Sequence, residues 1–199
     1  MSLTRPDLAI IQNWVQPNSR VLDLGCGNGE LLYFLQKNKQ VHGYGLEIDS
    51  DKITACVAKG VNVIEQNLDD GLSNFKDQSY DLVVMTQALQ ALRRPDLMLE
   101  EMLRVGKECI VTFPNFAYWR CRMYLSLKGE MPVSKSLPYT WYDTPNIHLS
   151  TFRDFEQLCK NRNFHILDRA VGNSEHETHL GTKMWPNLFG EFAIYRVTR

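Results

Sequence analysis

The run Val21-Leu22-Asp23-Leu24-Gly25-Cys26-Gly27-Asn28-Gly29 constrains this chain more than any other stretch, because a short apolar strand runs there straight into three alternate glycines. Glycine takes left-handed backbone angles without the penalty of a Cβ, so such a turn is tight and lets the backbone approach a bound molecule closely. Residues 30–37 then read as a helix. Strand, glycine turn and helix in that order place the turn at the carboxyl edge of a sheet, where doubly wound folds bind ligands. The dinucleotide pattern G-x-G-x-x-G requires glycine at position 30, where Glu30 stands, and a carboxylate beside a pyrophosphate is unfavourable. A plain strand-to-helix turn is the competing reading.

The rest of the chain keeps alternating. A short helix around Leu8 to Trp14, with Thr4 and Asp7 spaced as a cap, ends near Pro17. Strands are predicted at 20–24, 41–48, 61–64, 82–85 and 109–113. Between them lie a helix capped by Ser50 that runs to Lys59 and a helix over 95–105. The second has Pro95 in its first turn, Gly106 just past its end and a Glu100–Arg104 pair on its surface. A last helix over 151–162, opened by Thr151 and Asp154, precedes strands near 165–171 and 191–198. Such alternation predicts an α/β, Rossmann-like doubly wound fold: a mostly parallel seven-stranded sheet in which one late strand, reached without a crossover helix, joins antiparallel. A chain of 199 residues, 44% of them apolar, is expected to form a single domain over 1–199. Residues 116–145, rich in aromatic residues and proline and without a clean period, read as an insertion.

Composition removes several classes of function. With 22 basic against 23 acidic residues, the net charge of −1 gives no bulk attraction to nucleic acid or to an anionic membrane. Five cysteines, odd in number and without a C-x-x-C pair, predict reduced, packed thiols rather than a zinc or redox site, and no metal is expected. The N-terminus lacks a basic stretch ahead of an apolar run, and no segment reaches the roughly 20 apolar residues that span a bilayer, so a soluble cytoplasmic protein is expected.

Two more strand ends carry chemistry. Glu47 closes Gly43-Tyr44-Gly45-Leu46-Glu47, where a carboxylate can accept hydrogen bonds from both hydroxyls of a ribose; a solvated terminal carboxylate is the alternative. After the third strand, Asn67 and the Leu68 backbone can face an adenine edge, with Asp69 and Asp70 in solvent. The fourth strand leads into the loop Met85-Thr86-Gln87-Ala88. His148, following Asp143 and Asn146 in a polar stretch, is the candidate catalytic base, against the commoner structural role of a loop histidine. Arg93, Arg94, Arg120 and Arg122 can grip a carboxylate or lie solvated. The aromatic residues Phe116, Tyr118, Trp119, Tyr124, Tyr139, Trp141 and Tyr142 suit either a partner interface or a substrate lid.

Taken together, these residues resemble the class I S-adenosylmethionine-dependent methyltransferases, whose motifs fall at the same three strand ends in the same order. The resemblance covers Arg20 to Phe113. It implies that Asp23, Gly25 and Gly27 surround the methionine portion of S-adenosylmethionine (or S-adenosylhomocysteine), that Glu47 holds the ribose and that Ile48 lies against the adenine. Cys26, Gly29, Asn67, Leu68 and Thr86 complete the implied cofactor-binding set. The chain departs from that pattern at Asn67, where the family often carries an acidic residue; an amide oxygen can still accept from the adenine amine.

A narrower resemblance runs nearly end to end. Thr86-Gln87-Ala88-Leu89-Gln90, Arg93-Arg94-Pro95, Thr112-Phe113-Pro114-Asn115-Phe116, Met131-Pro132-Val133 and Leu137 through Leu149 resemble the MetW family of methionine-biosynthesis proteins. That family is linked to MetX, the homoserine O-acyltransferase, so the resemblance implies this partner and a regulatory role; catalytic methyl transfer to a small acceptor is the alternative. Self-association is left open.

Overall fold

The computed structural model describes residues 5–173, 182 and 184–199. Seven strands form one sheet: β1 (Arg20–Leu24), β2 (His42–Glu47), β3 (Val63–Glu65), β4 (Tyr80–Thr86), β5 (Gly106–Pro114), β6 (His165–Gly172) and β7 (Phe192–Thr198). Their order is β3-β2-β1-β4-β5-β7-β6. The pairs among β1 to β5 are parallel, and β7 enters antiparallel between β5 and β6. The order reverses between β1 and β4, so their carboxyl ends flank the crevice that such sheets leave for ligands.

Period-two alternation along the buried strands fills both faces. Leu22, Leu24, Val83, Met85, Val111 and Phe113 pack toward one side, together with Leu99 and Met102 of α4 (Pro95–Val105). Phe152 and Phe155 of a later helix, Phe152–Asn161, join them. Val21, Leu82, Val84 and Ile110 pack toward the other, under Leu8 and Ile11 of α1 (Pro6–Trp14), Leu31, Leu32 and Leu35 of α2 (Glu30–Lys39) and Cys56 of α3 (Ser50–Ala58). Asp23 alternates onto the Val21 face and is thereby carried beneath the α1–α2 layer, 2% exposed.

Several boundaries differ from the sequence reading for local reasons. The cap of α3 is Asp49 rather than Ser50, its carboxylate accepting from the Asp51 and Lys52 N–H groups at 3.0 and 3.3 Å. Those donors hold the Asp49 carboxyl below its ordinary range. Gly106 is the first residue of β5, needed because a Cβ there would lie 2.7 Å from Val83 Cγ2. Arg104 pairs not with Glu100 but with Glu101 and Asp77, while Glu100 meets Arg162. Within the segment expected to be aperiodic lies α5 (Trp119–Lys128). Of its ten residues only Cys121 is buried, against Tyr118 and Leu137, so the sequence carries no apolar stripe there. Then follow α6 (Phe152–Asn161) and the short α7 (Pro186–Phe189). Among the described residues no helix is long and apolar enough to cross a membrane.

The Thr151 cap of α6 is as read: its hydroxyl accepts from the Asp154 N–H at 3.2 Å and donates to the Asp154 carboxylate at 2.7 Å. Replacing Thr151 by Ala is expected to lower unfolding stability by about 1 kcal/mol in urea denaturation, with an unchanged m-value.

Candidate functional site

The glycine turn after β1 has left-handed angles at all three glycines, with φ +70° at Gly25, +55° at Gly27 and +70° at Gly29. They differ in surroundings. A Cβ on Gly27 would meet nothing within 4 Å, so this backbone borders open space, and one on Gly25 would sit 3.4 Å from Ala88 Cβ, on the turn after β4. At Gly29 it would press on Cys56 Sγ at 2.9 Å and on Val61 at 3.3 Å. Gly29 therefore serves the packing of the turn on α3 and ends the loop as the cap position of α2. Cys26 also faces inward, its sulfur 3.9 Å from that of Cys56, and its N–H donates to Leu46 O.

Glu47, at the end of β2, is the hub of the turn. Its Oε2 accepts from Gly27 N–H at 2.9 Å, and its Oε1 accepts from Ile48 and Asp49 N–H at 2.9 and 3.1 Å. An ionised carboxylate offers about four lone-pair sites, so one site on Oε2 remains for a hydroxyl. A second hydroxyl can bind only by exchanging with a backbone donor. Ile48, next to it, is 60% exposed, an apolar surface presented beside the cleft.

After β3, Asn67 caps a 3-10 turn over Leu68–Asp70, its amide oxygen accepting from Asp69 N–H at 3.1 Å. One lone pair of that oxygen is thus occupied by the chain itself. Asp69, expected in solvent, accepts from Arg93 N–H at 3.0 Å and tethers this turn to the segment after β4. Thr86 ends β4 opposite Thr112 of β5, and the chain then turns sharply through Gln87, φ +55°, whose N–H donates to the Thr112 carbonyl and hydroxyl, both at 3.0 Å.

His148 reaches the same edge. Its N–H and that of Ile147 both donate to Gln90 O at 3.0 Å, and its Nε2 is buried without a hydrogen-bond partner. Of the arginines weighed as carboxylate grips, Arg93 pairs with Asp69, Arg94 with Asp96 and Arg122 with the Ala117 carbonyl, while Arg120 lies over the Trp119 ring.

Among the described residues the most perturbed carboxyl is that of Asp23. Burial pushes it up to about 7; the Arg5 guanidinium opposes the rise and the Glu47 carboxylate adds to it. Its Oδ1 is buried without a hydrogen-bond partner. Three residues that sequence reasoning did not assign to the site complete this edge. Asp7, read as part of a helix cap, is instead 3% exposed, pairs with Arg5 and accepts from the Thr112 hydroxyl at 3.4 Å. Thr4 lies outside the described residues. The third is Gln90, 5% exposed, with an unpartnered Oε1. No local motif marks Arg5 or Asp7, because their role arises only when α1 folds over the sheet edge.

The family model described as methionine biosynthesis protein MetW matches residues 5–197. The bifunctional methionine biosynthesis protein MetXA/MetW of Rhodopirellula baltica is 31% identical over 189 residues, covering 90% of this chain; the chain spans only 30% of the length of that relative. Among solved structures, the magnesium protoporphyrin IX methyltransferase of Synechocystis with bound S-adenosylhomocysteine is 17% identical, with a TM-score of 0.68 and coverage of 96% and 81% of the two chains. A SAM-dependent methyltransferase from Archaeoglobus fulgidus, also 17% identical, gives 0.67 with coverage of 96% and 92%. These structural likenesses show the fold: the sheet is that of the Rossmann-like S-adenosylmethionine-dependent methyltransferases.

Because the folded Asp23 carboxyl titrates near 7 and the unfolded one near 3.8, the folded state holds a proton that the unfolded state releases between those values. The contribution of this group to stability is full below pH 4 and is lost as pH rises through 7. Asp23→Asn is therefore expected to gain stability relative to the parent protein as pH rises from 4 to 8, by roughly 3 to 4 kcal/mol, in parallel denaturant titrations. A difference that is flat with pH contradicts the assignment.

Proposed function

Because the chain belongs to the MetW family, we propose that it binds S-adenosylmethionine or S-adenosylhomocysteine at the β1–β4 switch point and acts with the homoserine O-acyltransferase MetX, which it regulates. The observation that carries the cofactor reading is the buried, unpartnered carboxyl oxygen of Asp23 beside an open glycine turn. An α-ammonium supplies the missing donor and counter-charge to that oxygen, while the Gly25–Gly27 backbone leaves room for the amino-acid portion. Glu47 takes the ribose through its free Oε2 position. Exposed Ile48 covers one face of the adenine, with Asn67, Leu68 and Thr86 along its rim. Cys26 and Gly29 act by shaping the turn from behind.

S-adenosylmethionine, when bound, would supply an electrophilic methyl group on a sulfonium, whereas S-adenosylhomocysteine carries none. Of the chain's own residues, Asp23 and Glu47 would provide anionic complementarity in a buried setting, and small Ala88 on the turn after β4 stands against Gly25. For regulation, the Rhodopirellula baltica relative is a bifunctional MetXA/MetW protein, which supports association of the two activities. A nucleoside made from the end product of the pathway, bound with different affinity to two states of such a complex, gives feedback by linkage. The reaction is cytoplasmic under this reading.

One observation favours a second reading, in which the chain transfers methyl to a small acceptor: the unpartnered Nε2 of His148 at the same edge is available to accept a proton. Labelled S-adenosylmethionine mixed with the protein, with and without the acyltransferase and homoserine, separates the two. Regulation predicts acyl transfer that depends on the nucleoside without loss of label; repeated methyl turnover supports the transferase reading and removes the purely regulatory role.

Two binding outcomes follow from the site. Glu47→Ala is expected to weaken S-adenosylmethionine by about 1.5 to 3 kcal/mol in calorimetry. Because Asp23 is protonated below about pH 7 and an ammonium favours its ionised form, binding near pH 6 is expected to release a proton. The heat then depends on the ionisation enthalpy of the buffer, and the dependence disappears in Asp23→Asn. Buffer-independent heat in the parent protein contradicts the Asp23–ammonium contact.

A further inference from the structure

Arginines from three elements line one cavity at the β6 end of the sheet. The cavity, about 450 Å³ in volume, is lined by Arg122 of α5, Arg153 of α6 and Arg169 of β6, together with Glu156, Phe152 and Trp185. Glu156 is the one acidic residue of that lining among the described residues. Its Oε1 accepts from Arg169 Nη1 at 3.0 Å and from the Tyr195 hydroxyl at 2.8 Å. Arg122 is held by backbone alone, its Nε donating to Ala117 O and its Nη2 to Asn187 O. Arg153 makes no hydrogen bond or ion pair among the described residues. Arginine stays protonated in proteins, so three positive charges against one negative leave the described lining with an excess of two.

We propose that this cavity binds a small dianion with an apolar body, a phosphate monoester or a dicarboxylate, at a site separate from the nucleoside cleft. Charge sets the first requirement. The excess is neutralised by one doubly charged phosphate or by two carboxylates, and the planar guanidinium fork matches the oxygens of either group. Two of the three forks have donors to spare, because Arg122 gives only part of its five N–H groups to the carbonyls and Arg153 gives none. The wall sets the second requirement. Phe152 is buried in the core beneath, while the Trp185 ring, 60% exposed, supplies aromatic surface to the lining. The volume is that of a small-molecule pocket. The described lining shares no residue with the nucleoside cleft, and β5 and β7 stand between β4 and the β6 edge.

The test titrates the full chain by calorimetry with naphthyl phosphate, phthalate, uncharged naphthol and inorganic phosphate. At neutral pH at least one of the two aromatic dianions is expected to bind about tenfold or more tighter than naphthol and than inorganic phosphate. The tighter of the two identifies the source of the charge. Arg153→Gln, which breaks no hydrogen bond or ion pair among the described residues, is expected to weaken that dianion about fivefold or more. Trp185→Ala weakens it too, whereas Arg120→Gln, on α5 but outside the lining, leaves it unchanged. Binding of neither dianion, equal affinity for naphthol or inorganic phosphate, or equal losses in Arg153→Gln and Arg120→Gln overturns the site. Displacement of the dianion by S-adenosylhomocysteine puts it in the nucleoside cleft and overturns the site as well.

Discussion

The carboxylate of Glu47 holds the candidate site together. It accepts from Gly27 on one side and from Ile48 and Asp49 on the other, so a single side chain ties the turn after β1 to the end of β2. Hydrogen bonds to a charged acceptor are stronger than neutral ones, and these lie on a residue 7% exposed, where water competes poorly. The left-handed angles at Gly25 and Gly27 are conformations that the turn adopts in order to deliver the Gly27 N–H to this acceptor. Close packing behind the turn leaves it no alternative course: a Cβ at Gly45 of β2 would collide with Cys26 Sγ at 2.3 Å.

The legible part of the fold is the part written in local chemistry. The apolar strands 20–24 and 82–85, buried on both faces, needed only hydrophobicity and flanking breakers to be found, and the glycine turn announced its own geometry. The sequence shows β4 and β5 shorter than they are, because Tyr80, Asp81, Lys107 and Glu108 break the apolar run while still lying in the strands. Polar anchors hold them there: Asp81 accepts from Arg20 N–H and from Lys107 Nζ, at 2.9 and 2.7 Å. α5 was invisible to periodicity for the opposite reason, since a helix that buries almost nothing has no stripe to show.

In the candidate site the same division holds. Asp23, Gly25, Gly27, Glu47 and Ile48 stood in one or two short motifs, and the structure brings them to one sheet edge. The roles of Cys26 and Gly29 as packing residues depend on α3, which lies 20 to 30 residues further along the chain. Arg5, Asp7 and Gln90 are not legible as site residues, because the Thr4–Asp7 spacing reads as a helix cap and Gln90 as the end of the Thr86–Gln90 run, and neither pattern signals burial at the site. Their importance comes from burial that only the assembled fold creates, α1 closing over β5 in one case and residues 147–148 returning to the turn after β4 in the other.

The tether from Asp69 to Arg93 has a mechanical consequence. It connects the turn after β3 to the segment after β4, which in turn grips residues 147 and 148 through the Gln90 carbonyl and leans on Gly25 through Ala88. Four loops that emerge from separate parts of the chain are thereby cross-braced into one rim, and such a rim opens or closes as a unit rather than loop by loop. A force on the turn after β3 is thereby carried to residues 147 and 148 through the rim itself.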